Sequence, residues 1–238
     1  MINKIAGSIE EAVSGIEDGA TVLIGGFGDA GMPNELIDAL IARGTKDLVV
    51  VNNNAGQGQT GVAALLNTGR VRKIICSFPR NPDSQVFDNL YRAGKLELEL
   101  VPQGTLVERL RAAGAGIGGF FTPTAFGTEL AKGKETRRIG GRDFVLEYPI
   151  HADHALIKAE AADRWGNLIY RKAARNFGPV MAAAARCTIV QVNRIAELGS
   201  LDPETIVTPG IFVSRVVRVA AAGGRAGDPA PAAAGARP

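Results

Sequence analysis

The segment Gly25-Gly26-Phe27-Gly28-Asp29-Ala30-Gly31-Met32-Pro33 is where ligand chemistry is most readable in this sequence. Glycine lets a backbone turn tightly and come close to a bound group. When such a turn joins a buried strand to a helix, its N–H groups attract phosphate. The plainer reading is a tight turn whose glycines only relieve crowding. Residues 26–31 also satisfy G-x-G-x-x-G. A dinucleotide site would further need an acidic residue at the end of the second strand, to hold ribose hydroxyls. That strand ends in Asn52, Asn53 and Asn54, and Asp47 lies before it. Pro33 follows the third glycine where a dinucleotide-binding helix would already be running. The NAD reading is therefore disfavoured. His151 and His154 flank Asp153, a pairing that invites a base assignment, with a structural role as the other reading.

These residues need strands and helices to hold them. Ser8 and Glu11 have capping-box spacing and open a helix to about Ile16. Short continuous apolar runs at 21–24 (TVLI) and 48–51 (LVVV) look like strands buried on both faces. Further strands are expected at 73–77 and 96–101. Helices are expected after Pro33, through 62–66, and over 83–92 and 105–113. This alternation predicts a mainly parallel sheet with helices on both faces, a three-layer α/β/α arrangement. The second half reads as more β-rich, with strands at 144–148, 155–159, 168–170, 188–192 and 211–219.

Composition narrows the class. The chain has 238 residues, 46% hydrophobic and 21% charged, the mix of a globular protein. No apolar run is long enough for a membrane span, and the N-terminus does not read as a secretory signal. The two cysteines, Cys76 and Cys187, cannot build a disulfide framework or, unaided, a zinc site. The expectation is a cytoplasmic protein without a metal. A net charge of +3 from 27 basic and 24 acidic residues is too small and scattered to imply nucleic acid. Residues 1–219 are read as one domain. Residues 220–238 are Ala, Gly and Pro-rich with no larger apolar side chain, and are expected to be disordered.

The stretch from Asp18-Gly19 through Gly25-Gly26-Phe27-Gly28 to Gly31-Met32-Pro33 resembles the signature of family I coenzyme A transferases, A-subunit type. Further segments resemble the same family in the same order. They are Asn53-Asn54-Ala55-Gly56, Glu97 to Val101 with Pro102-Gln103-Gly104-Thr105, Phe121 to Thr128, and Gly166 to Phe177. A narrower resemblance, to 3-oxoadipate-type A subunits, is carried by Cys76 to Arg80, His151 to Asp153 and Asp163 to Asn167. Two departures stand out. Asn52 occupies a position that is often Ser in relatives, and Ala125-Phe126 replaces Gly-Tyr.

The resemblance implies a covalent route with no permanently bound cofactor and a coenzyme A thioester as substrate. A glutamate attacks succinyl-CoA, passes through an acyl anhydride and becomes a glutamyl-CoA thioester. A 3-oxoacid acceptor then reverses the steps. In split-subunit members that glutamate lies on a homologous B subunit, so the expected assembly is an A–B heterodimer or A2B2 heterotetramer. This chain would supply uncharged donors to the oxyanions, Gln103 and Asn53. Gly25, Gly26, Phe27, Gly28, Asp29, Ala30 and Gly31 would lie against the coenzyme. Arg80, Lys172 and Arg175 are candidate countercharges. Acetoacetate or a short-chain fatty acid remains an alternative acceptor. A sugar-phosphate-sensing module or sugar-phosphate isomerase on a similar scaffold is the rival outside the family.

Overall fold

The computed structural model describes residues 1–219. The tail expected to be disordered lies outside the described residues. The parallel strands come in the expected sequence. They are β1 (Thr21–Ile24), β2 (Leu48–Val51), β3 (Val71–Cys76) and β4 (Glu97–Leu100). Three more join them, β8 (Ala152–Ala162), β10 (Ala185–Ile195) and β11 (Arg215–Arg218), in the spatial order β11-β10-β8-β1-β2-β3-β4. The short β9 (Leu168–Ile169) pairs antiparallel with β8. A separate antiparallel sheet of order β5-β7-β6 is built from β5 (Phe120–Thr122), β6 (Thr136–Ile139) and β7 (Arg142–Glu147).

The unbroken apolar runs have a physical reason. Val22 and Ile24 of β1 and Leu48 and Val50 of β2 face one core. Leu23, Val49 and Val51 face the other. A strand covered on both sides has no polar face to alternate with. The first core is roofed by α1 (Ile9–Val13), α2 (Asn34–Arg43), α3 (Gly61–Asn67) and α4 (Val86–Arg92). The second lies under α5 (Gln103–Gly114) and α6 (Gly178–Ala184). The capping box forms, with a variation. Ser8 Oγ accepts from Glu11 N at 3.1 Å, and Glu11 Oε2 reaches back to Gly7 N at 2.7 Å.

Several elements differ from expectation. α4 starts at Val86 rather than 83, because Asn81 to Ser84 form a closed turn. Residues 211–219 are not one strand. A 3-10 turn at Gly210–Phe212 precedes β11. β5, β6 and α6 were not expected. β8 and β10 run 11 residues each, longer than expected, and complete the parallel sheet.

Candidate active site

Parallel α/β sheets bind ligands beyond the carboxyl ends of their strands. Here β1 leads into the Gly-rich loop, β2 into Asn52 to Asn54, β3 into Ser77-Phe78, and β4 into Pro102-Gln103.

The Gly-rich loop closes on itself as a small hairpin. Phe27 N donates to Ala30 O at 3.0 Å and Ala30 N donates to Phe27 O at 3.2 Å. Gly25 N donates to Leu156 O at 2.9 Å, which ties the loop to β8. Packing dictates two of its glycines. Gly26 has φ +119, and a Cβ there would lie 3.2 Å from Met32 Cα. Gly31 has φ +74, and its Cβ would lie 2.5 Å from Ala174 O. The N–H groups of Gly26, Gly28, Asp29 and Gly31 have no acceptor among the described residues.

The start of α2 is less open to an anion than its position suggests. Gln191 Oε1, from β10, accepts from Leu36 N at 3.2 Å, and Gln191 Nε2 donates to Glu35. The helix dipole is thus already complemented by a carboxylate of the chain itself. Nothing local in the sequence signals this contact, which spans 155 residues.

Asn52 is fully buried. Its Nδ2 donates to Ile24 O at 2.7 Å, stitching the end of β2 to that of β1. Asn53 Oδ1 accepts from Ser77 Oγ at 2.8 Å, and its backbone O accepts from Ser77 N and Phe78 N. Its Nδ2 has no acceptor among the described residues and is not sealed from solvent. Asn54 Oδ1 accepts from Gly56 N at 2.8 Å. The asparagines therefore build the loop, and Asn53 keeps a donor free. Ser77, which orients Asn53, was missed at the level of sequence.

Gln103 is the first residue of α5 and is exposed, with no side-chain hydrogen bond among the described residues. The Gly-rich loop and residues 54–62 line a common crevice that includes Gly28, Asn54 and Gln57. Gln103 is not part of it, because β2 and β3 stand between β1 and β4. Three strand spacings amount to roughly 14 Å.

The charged candidates separate. Arg80 is paired with Asp88 at 3.0 Å. Lys172 and Arg175 are exposed and form no ion pair among the described residues. Glu97 and Glu99 pair with Lys73 at 3.0 and 2.8 Å, and Glu99 also pairs with Arg109 at 2.8 Å. Burial alone would push the Glu99 carboxyl up, but Lys73 and Arg109 outweigh it and hold it below the usual range. A carboxylate locked between two cations is a poor nucleophile. Asp153 accepts from Thr21 N at 2.9 Å at the amino end of β1, so the His151 to His154 segment lies away from the site. Among the described residues no cluster of three or more His, Cys, Asp or Glu is poised for a metal. No helix there is long and apolar enough to cross a membrane.

A cluster of neutral amides and glycines at the strand ends, whose neighbouring glutamates Glu97 and Glu99 are held in ion pairs, fits the resemblance read in the sequence. The family model for coenzyme A transferase matches residues 7–219. The chain belongs to the coenzyme A transferase family. It is 66% identical to the A subunit of 3-oxoadipate CoA-transferase of Pseudomonas putida, over 93% of this chain and 96% of that one. It is 50% identical to the A subunit of succinyl-CoA:3-ketoacid coenzyme A transferase of Xanthomonas campestris, over 85% and 83%. Its fold matches that of an acyl-CoA transferase from E. coli O157:H7, crystallised as a thioester complex with CoA, at a TM-score of 0.78 and 22% identity. The match covers 92% of this chain and 47% of that transferase, so the chain spans about half of its length. As a coenzyme A transferase, the protein handles a CoA thioester as substrate.

Proposed function

We propose that this chain is the A subunit of a CoA-transferase that moves CoA from succinyl-CoA to 3-oxoadipate. The attacking glutamate is supplied by a homologous B subunit. The glutamate carboxylate adds to the thioester carbonyl, and CoA thiolate leaves a succinyl-glutamyl anhydride. Thiolate then attacks the glutamyl carbonyl, releasing succinate and leaving a glutamyl-CoA thioester. The acceptor carboxylate reverses both steps, so thioester energy is conserved while water is kept out. Each addition places negative charge on a carbonyl oxygen. Asn53 Nδ2 and Gln103 are neutral donors suited to it, because they do not neutralise the glutamate by permanent pairing. The Gly-rich loop from Gly25 to Gly31 lies along the path of the coenzyme.

The observation that carries this reading is the open carboxyl edge itself. It offers free amide donors at Asn53 and Gln103, while Glu35, Glu97 and Glu99 are each held by a partner. The identity to the Pseudomonas putida protein favours 3-oxoadipate as acceptor. Co-expression with a homologous B chain tests the division of labour. The pair is expected to exchange CoA between succinyl-CoA and 3-oxoadipate, with this chain inactive alone. Borohydride reduction of the trapped thioester should mark a glutamate of the B chain. A mark on this polypeptide would overturn the assignment, and equal or faster transfer to acetoacetate would redirect the acceptor.

A further inference from the structure

Asn53 follows β2, Ser77 follows β3, and the two stand opposite each other. Val51 pairs with Ile75 in the register of these strands. The pairing runs on past both ends: Ser77 N donates to Asn53 O at 3.1 Å, and Asn54 forms a parallel bridge with Phe78. Side chains along a strand alternate between faces. Val49, Val51 and Ile75 belong to the core under α5 and α6, whereas Val50, Ile74 and Cys76 belong to the other. Continuing that alternation, Asn53 and Ser77 lie on the α5 face, and α5 begins at Gln103. Asn52 and Asn54 fall on the opposite face. Of the three asparagines, Asn53 alone shares a face with the second amide of the proposed site.

A single proton decides how the Asn53 amide is turned. Ser77 Oγ lies 2.9 Å from Asn53 O and 2.8 Å from Asn53 Oδ1. A hydroxyl has one proton to donate, and a carbonyl oxygen has two lone pairs. The backbone oxygen of Asn53 already accepts from Ser77 N and Phe78 N, each at 3.1 Å. The hydroxyl proton is thus left for Oδ1. With Oδ1 held by Ser77, Nδ2 turns the other way, where it is not sealed from solvent. The reverse orientation would set an oxygen lone pair against the negative charge that develops in the reaction. Asn53 is only 5% exposed, so water is a poor substitute for the serine.

We propose that Ser77 is a positioning residue of the transferase, fixing the Asn53 side chain as a hydrogen-bond donor before the oxyanion forms. It acts through Asn53 alone. A donor aimed in advance needs no reorganisation at the moment of reaction. One carried on paired strands is held more precisely than one on a loop. No proton leaves either residue: Ser77 keeps its bond to Oδ1 while Nδ2 meets the developing charge. This inference rests on the CoA-transferase reading above.

The test compares A–B complexes in transfer from succinyl-CoA to 3-oxoadipate. Ser77→Ala should lower kcat about three- to tenfold, the scale of one neutral hydrogen bond, with KM for either substrate unchanged. Ser77→Thr keeps the hydroxyl and should restore most of kcat. Asn53→Ala should cost about a hundredfold, and adding Ser77→Ala to it should cost nothing more, since coupled residues are not additive. A further loss in the double variant, equal to that of Ser77→Ala alone, would mean that the serine acts without Asn53, and it overturns the proposal. So does full kcat in Ser77→Ala, a loss confined to KM, or a Ser77→Thr complex as slow as Ser77→Ala. Should Ser77→Ala not fold, Ser77→Cys, of nearly the same shape but a weak donor, carries the same comparison. Side-chain amide NMR of the full chain separates this inference from the function it rests on. The Asn53 Nδ2 signals, identified by their loss in Asn53→Ala, should move in Ser77→Ala and stay in place in Ser77→Thr. That pattern in a chain whose complex transfers nothing would keep the orientation and sink the transferase reading. Signals unmoved by Ser77→Ala in a chain whose complex is active would do the reverse.

Discussion

A methyl group built onto Gly104 would meet no heavy atom within 4 Å, and the backbone there is helical. The chain's own packing gives no reason for glycine at this point. Gly26 and Gly31 are different, because Met32 and Ala174 O occupy the space a Cβ would need. Gly104 stands next to Gln103 on the open edge, so its missing side chain leaves room for something outside this chain. Gly104→Ala should therefore stabilise the isolated chain by about 0.4–1 kcal/mol, seen as a rise in Tm of about 1–3 °C. The same variant should lower turnover of the A–B complex. A stabilised chain with full turnover would count against a substrate at this position. Gln103→Ala should lower kcat about a hundredfold, the scale of one lost oxyanion donor, with assembly onto the B chain intact. Full activity would remove Gln103 from the site. At this scale the sequence was informative, since glycines and amides at strand ends are readable by type and place. It was silent on partners distant in the chain. Gln191 reaches α2 and Asn176 reaches Ala30 across 155 and 146 residues, and no local pattern announces such contacts.

Elements were legible where one physical cause dominated. Apolar runs marked β1 and β2 because both of their faces are covered. β6 reads Thr-Arg-Arg-Ile and is exposed throughout, so it has neither an apolar run nor an alternation to see. β5 has three residues and exists only by pairing with β7. α6 is mostly small residues behind a proline, which periodicity does not resolve. The junction between the α1–β1 connection and β8 carries a pH prediction. His154 pairs in register with Val22, and its Nδ1 is buried without a partner. Burial lowers the His154 pKa, opposed by Asp153 and Glu17 and aided by Arg215. The unfolded chain then binds a proton near pH 6.5 that the folded chain resists. Stability due to this group is present above that pH and is lost as the pH falls below it. The urea midpoint should drop more between pH 7.5 and 5.5 in the natural chain than in His154→Gln. Equal drops would remove His154 as the cause.

On the scale of the whole molecule, one edge of the sheet is unfinished. Its donors are free, Gln103 is exposed, and Phe27 and Phe78 are 50% and 62% exposed at the ends of β1 and β3. A transfer through an anhydride fails if water reaches the activated acyl group, so this edge has to be covered during the reaction. Nothing in the described chain folds over it, and the antiparallel sheet is anchored elsewhere. Lys134 and Arg109 hold its Glu147, and Arg109 in turn bonds Glu99 of β4. On the function proposed above the cover is the B chain, and aromatic rings flanking a polar centre are the usual anchors of such a contact. Phe78→Glu should leave the isolated chain folded, because the ring contributes little to its core. It should weaken association with the B chain by about a hundredfold or more, through lost apolar burial and a carboxylate forced into the contact. Co-elution by size exclusion and a titration of activity with B chain would measure both effects. A Phe78→Glu variant that assembles normally would mean that the partner sits on another face, and that the amide donors of this edge meet their substrate without it.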